Sequence, residues 1–148
     1  MSDHAHMARA LALAAQMAGK TAPNPAVGCV IVKDGAVVGE GATGAGGRPH
    51  AEEIALDAAG AAAHGADAFV TLEPCALRST GAASCAQRLR DAGVARVVIA
   101  CRDPHPNASG AGIDLLARAG ITVEVGLMEA EARALNADFI AAWETRAG

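Results

Sequence analysis

The stretch "GCVIVKDGAVVGEG" constrains this chain more than any other. Two β-branched runs flank Asp34-Gly35, a pair that favours the tight turn of a two-residue hairpin. Antiparallel strands are expected over Val27 to Val32 and Val37 to Glu40. A lone hairpin is marginal in water, so the rest of the chain has to extend and cover it.

Beyond the hairpin, helices and strands alternate. Residues Ala51 to Ala63 read as a helix, "DAFVTLE" as a short buried strand, and "SCAQRLRDAG" as a helix capped by Ser84 and closed by Gly93. "VARVVIAC" is a strand, "IDLLARAG" a helix, "ITVEV" a strand, and a final helix runs from Met128 to about Arg146. Before the hairpin, Asp3 to Ala18 reads as a helix capped by Asp3, and the prolines of "TAPNPAVG" then break any helix. Strands joined through helices pair in parallel with right-handed crossovers. The order predicts a mixed five-stranded sheet with helices on both faces, a three-layer α/β/α sandwich in one domain of 148 residues.

Composition says how such a sheet must be packed. Hydrophobic residues make up 52% and aromatic residues 2%, so Ala, Val, Ile and Leu have to fill the core at close range. A formal charge of −4 and scattered Lys and Arg argue against a nucleic-acid grip. No apolar run approaches the ~20 residues of a membrane span, and Asp3 with two histidines makes a poor signal-peptide start. The expectation is a soluble, cytoplasmic chain. His4, His6 and His64 read as solvated helix residues, and Cys29 and Cys101 as small core residues in strands.

Three features carry chemistry. His50-Ala51-Glu52 opens the second helix, Cys75 comes just after the third strand in "LEPCA", and Cys85 lies in the first turn of the next helix. One nitrogen and two thiolates make a three-ligand zinc set that leaves the fourth position open, as catalytic zinc requires. Helix N-termini carry partial positive charge that lowers a thiol pKa. Residues two apart do not share a helix flank, so His50 and Glu52 meet only over the helix end. The bland alternative is a capping histidine and two buried thiols.

The ordered pattern H-x-E…P-C…C resembles the zinc-dependent cytidine-deaminase-like superfamily, in which the glutamate is an acid/base and not a ligand. "TAPNPAVGCVIVKDGAVVGEG", "GGRPHAE", "VTLEPCA", "GVARVVIACRDPHP", "AGI" and "ALNADFI" look like its branch in riboflavin biosynthesis, the pyrimidine deaminase domain. The resemblance implies Zn²⁺ as cofactor on His50, Cys75 and Cys85, and Glu52 as proton carrier. It places Asn24 at a pocket for a heterocyclic amine; Ala51 and Glu73 are further candidates, Glu73 either near the leaving amine or as a structural residue, and His105 lies in a loop that reaches the site or serves as a turn. It also implies a homodimer or homotetramer, and a usual partner reductase domain that residues 1–148 do not include.

Two loops depart from that branch. It usually carries a His two residues after the first Cys and a Pro before the second; here stand Leu77 and the run Ala82-Ala83-Ser84. It usually carries a Lys or Arg between two glycines; here the loop reads Gly110-Ala111-Gly112. The glycines read first as a tight turn, with the adjoining helix N-terminus as the remaining offer to a phosphate. The leading expectation is deamination of the phosphoribosyl diaminopyrimidine. The alternatives are deamination of another base, nucleoside or pterin-like ring, and a non-catalytic zinc-binding partner subunit.

Overall fold

The computed structural model describes residues 2–76, 83–104 and 109–147. His105, Leu77 and Ala82 lie outside the described residues. Five strands, β1 (Gly28–Lys33), β2 (Ala36–Ala42), β3 (Asp67–Val70), β4 (Arg96–Ile99) and β5 (Thr122–Val125), form one sheet in the order β2-β1-β3-β4-β5. β1 is antiparallel to both β2 and β3, while β3, β4 and β5 run parallel, so the expected mixed sheet is observed. At the hairpin, Asp34 and Gly35 both take positive φ (51° and 80°), the requirement of a primed two-residue turn.

Side-chain alternation along the strands divides the interior in two. Cys29, Ile31, Ala68, Val70, Val97 and Ile99 face α2 (Ala51–Ala59), α3 (Cys85–Ala92) and α4 (Ala111–Arg118). Val30, Val32, Phe69 and Val98 face α1 (Asp3–Gln16), α5 (Glu129–Leu135) and α6 (Ala137–Ala147). This is the three-layer α/β/α sandwich. The shortage of aromatics shows in the spacing. A Cβ on Gly39 would stand 2.3 Å from the Ala55 carbonyl oxygen, and one on Gly41 would stand 2.7 Å from Ile54 Cβ, so α2 rests almost directly on the β2 backbone.

Three local expectations are corrected. Ser2, not Asp3, caps α1, its hydroxyl accepting the Ala5 N–H at 3.2 Å. His6 is buried, its ring 5.2 Å from that of Phe69, because α1 turns this position toward the sheet. The final helix is two helices that meet at Asn136. The Asn136 carboxamide accepts the Ala26 N–H at 2.9 Å and donates to the Ala26 carbonyl at 2.8 Å. Among the described residues no helix is long and apolar enough to cross a membrane.

Candidate active site

The segment after β3 stays extended between its neighbours. The Thr71 N–H donates to the Gly28 carbonyl, and the Glu73 N–H donates to the Cys101 carbonyl at 2.9 Å. This run delivers Cys75 to the start of α3, where its carbonyl accepts the Ala86 N–H at 3.0 Å and its Sγ accepts the Cys85 N–H at 3.3 Å. Ser84 and Gln87 form a capping box that fixes this helix start, so Cys85 holds the first helical position. Cys85 Sγ lies 3.2 Å from Nδ1 of His50, the N-cap of α2. Ligand atoms of His50, Cys75 and Cys85 all lie within 4.8 Å of one another.

Glu52 is buried in the first turn of α2. Burial pushes its pKa up to about 7; charge at Cys75 adds to the rise, while its main-chain hydrogen bond, His50 and a hydrogen bond with Cys85 oppose it. The two thiols divide one proton unequally. The hydrogen bond from Cys85 leads the causes that bring the Cys75 thiol down to about 4, against the cost of burial. The same hydrogen bond and burial hold Cys85 far above the usual thiol range. An imidazole, a ready thiolate and a second thiol at two helix N-termini suit a thiophilic divalent cation such as zinc, which would displace the shared proton on binding.

Asn24 is exposed in the turn before β1, with its carbonyl accepting the Thr21 hydroxyl at 2.8 Å and its Nδ2 donating to Gly47 at 3.4 Å. It therefore touches the loop that leads into His50. The Ala51 methyl is fully buried in the core, so what it offers a ligand is its main-chain N–H in the first turn of α2. A cleft of about 790 Å³ runs between Thr21, Asn24, Asn136 and Phe139, and none of His50, Glu52, Cys75 or Cys85 lines it. The donor atoms of His50, Cys75 and Cys85 converge away from this cleft.

Of the two readings of Glu73, pocket and structural, the geometry supplies partners for the structural one. Its carboxylate faces the start of α4, where it accepts the N–H groups of Asp103, Gly110, Gly112 and Ile113 at 3.0–3.4 Å. Both oxygens are engaged there. The offer of the α4 N-terminus to a phosphate is corrected by the same contacts, since an internal anion already takes those donors. Sequence reasoning also missed Glu53. Its carboxylate accepts the His50 N–H at 3.3 Å and lies 3.7 Å from Arg88 of α3. The signal was available as an acid three residues after the N-cap.

The model of the cytidine and deoxycytidylate deaminase zinc-binding region matches residues 1–101, which contain all four of His50, Glu52, Cys75 and Cys85. The chain belongs to this deaminase family. Among its relatives, riboflavin biosynthesis protein RibD of Escherichia coli is 51% identical over 140 residues, 95% of this chain and 38% of that protein. The diaminohydroxyphosphoribosylamino-pyrimidine deaminase of Buchnera aphidicola is 43% identical over 145 residues, 98% of each chain. The solved structure of Acinetobacter baumannii RibD superposes with a TM-score of 0.93 at 48% identity, covering 97% of this chain and 40% of that one. The chain thus spans about two-fifths of the RibD proteins and nearly the whole of the Buchnera relative. The family match ends before α4, so the contacts between Glu73 and that helix lie half inside and half outside it.

Proposed function

We propose that this chain is a zinc-dependent hydrolytic deaminase of a small aminated pyrimidine, the first candidate being the diaminohydroxyphosphoribosylaminopyrimidine of riboflavin biosynthesis. The observation that carries the reading is the convergence of His50, Cys75 and Cys85 within 4.8 Å beside a buried Glu52. The name and full-length match of the Buchnera relative support the substrate class.

Under this reading His50, Cys75 and Cys85 hold the zinc, which in an open three-ligand site lowers the pKa of a coordinated water to about 7. Glu52 accepts a proton as water adds to the ring carbon that bears the exocyclic amine. It gives that proton to the ring nitrogen, then takes the remaining proton of the new C–OH group and gives it to the departing amine. The net change is water in, ammonia out, and a C–N bond replaced by C=O. Burial already raises the Glu52 carboxyl above its ordinary range in the metal-free site, as suits a group that must both take and give. Asn24, the Ala51 N–H and His105 are the proposed substrate contacts. Residues 1–148 act as one deaminase domain, in the cytoplasm, as a homodimer or homotetramer.

A second reading is deamination of a related ring without the phosphate. Glu73 favours it, because its carboxylate already takes the N–H groups of Gly110, Gly112 and Ile113 at the α4 N-terminus. Ammonia release from a panel separates the readings: the phosphoribosyl diaminopyrimidine, its dephosphorylated form, cytosine, cytidine, guanine and aminopterins. Release from the phosphorylated compound alone supports the first reading, and release only from the others supports the second. No release from any, with zinc bound, overturns both in favour of a non-catalytic zinc subunit.

A further inference from the structure

Glu73 stands two residues before Cys75, and its whole carboxylate is spent inside the protein. Oε1 accepts the N–H of Asp103 at 3.1 Å and of Gly110 at 3.0 Å; Oε2 accepts the N–H of Gly112 at 3.1 Å and of Ile113 at 3.4 Å. A buried carboxylate is costly unless its charge is met, and here a helix N-terminus meets it. The main chains are equally close. A Cβ on Gly112 would stand 1.9 Å from the Pro74 carbonyl oxygen, so glycine is needed there for α4 to seat against the turn.

The turn from Glu73 to Cys75 is thus gripped from two sides. α4 holds its first two residues, and α3 holds the third through Ala86 N–H to the Cys75 carbonyl and Cys85 N–H to Cys75 Sγ. A short run anchored at both ends leaves the Cys75 thiolate little freedom relative to Cys85 and His50. We propose that Glu73 is a positioning residue for Cys75, and that it acts by locking the ligand-bearing turn onto the first turn of α4. This rests on the metal-site reading above and adds to it the residue that holds the ligand in place before metal arrives.

The test is zinc affinity by chelator competition, with the thermal midpoint of each metal-free protein measured in parallel. The proteins are wild type, Glu73→Gln, Gly112→Ala and Arg96→Ala. Gln keeps the length of Glu but has one acceptor oxygen and turns an amide toward N–H donors. Arg96 binds Asp3, Asp67 and Glu124 at the start of β4, the opposite end of the strands, and reports general destabilisation. Glu73→Gln is expected to weaken zinc binding roughly ten- to a hundredfold, the range for groups that orient metal ligands. Gly112→Ala, which presses on Pro74 with Glu73 intact, shifts affinity the same way, while Arg96→Ala leaves it within about twofold.

Hydrogen exchange on the wild type needs no variant to fold. Zinc slows exchange at the amides of Gly110, Gly112 and Ile113, because coupling between ligand and clamp is reciprocal. The proposal is overturned if Glu73→Gln binds zinc as wild type does. It is also overturned if Arg96→Ala loses as much affinity, or if zinc leaves those amides unchanged. A wild-type chain that binds no zinc overturns the metal-site reading itself, and the positioning role with it.

Discussion

The N-termini of α2 and α3 and the N-terminus of α4 present the same physics and put it to different use. Each has first-turn N–H groups without helical partners and a partial positive charge. At α2 and α3 the helix starts are themselves reactive groups: His50 is the N-cap of one, and Cys85 is the first residue of the other. The Cys85 N–H points at the sulfur of Cys75, a proposed metal ligand. At α4 the donors of Gly110, Gly112 and Ile113 are closed off by a carboxylate from 37 to 40 residues earlier in the chain. A helix end that faces exchangeable ligands serves chemistry, and one sealed by an internal anion serves architecture. A Gly-x-Gly turn before a helix is therefore no guide to phosphate binding until the nearest buried carboxylate has been accounted for.

The contrast can be broken first at an open end. Cys85→Ala should abolish stable zinc binding and all ammonia release. Metal analysis after gel filtration checks it, and unchanged zinc content removes Cys85 from the ligand set. A smaller effect is expected at Asn136, which holds the Asn24 turn through Ala26. Asn136→Ala should lose roughly 1–3 kcal/mol of stability by leaving the Ala26 backbone groups unpaired. It should raise KM more than it lowers kcat, with zinc content unchanged; thermal unfolding and steady-state kinetics measure both.

The smallest effect is expected at the far end of the sheet, where Arg96 meets three carboxylates on the surface. The hydrogen bond from Arg96 holds the Asp3 carboxyl below its usual 3.8. Its contribution is therefore fully present above that pH and is lost as pH falls through the lower folded value. Arg96→Ala should flatten this acid limb and cost under about 1 kcal/mol per exposed pair at neutral pH. Urea titrations across the acid range show it, and a large loss of zinc in the same variant would blur the line between the two ends of the molecule.

Much of this was legible in the sequence, for reasons that differ by residue. Asp34-Gly35 between β-branched runs encodes the hairpin locally, and the alternation along β1, β3 and β4 encodes which helix layer each residue meets. The convergence of His50, Cys75 and Cys85 was legible because metal chemistry restricts residue type and order. The partners of Glu73 were not, because they are main-chain N–H groups that any sequence possesses. The break at Asn136 was hidden for a similar reason: the carboxamide is satisfied by the backbone of Ala26, 110 residues away. His6 was misjudged because a single polar residue on a helix of Ala and Leu gives no sign of which face it occupies.

The proposed function turns on Glu52 as a proton carrier that is not a ligand. Its most direct test is zinc content and ammonia release measured side by side on Glu52→Gln, with the substrate that wild type deaminates best. The expected result is wild-type zinc content and a rate lower by about 10²–10⁴, the usual contribution of a positioned acid/base. Full activity, or zinc lost together with activity, would contradict the role assigned to Glu52.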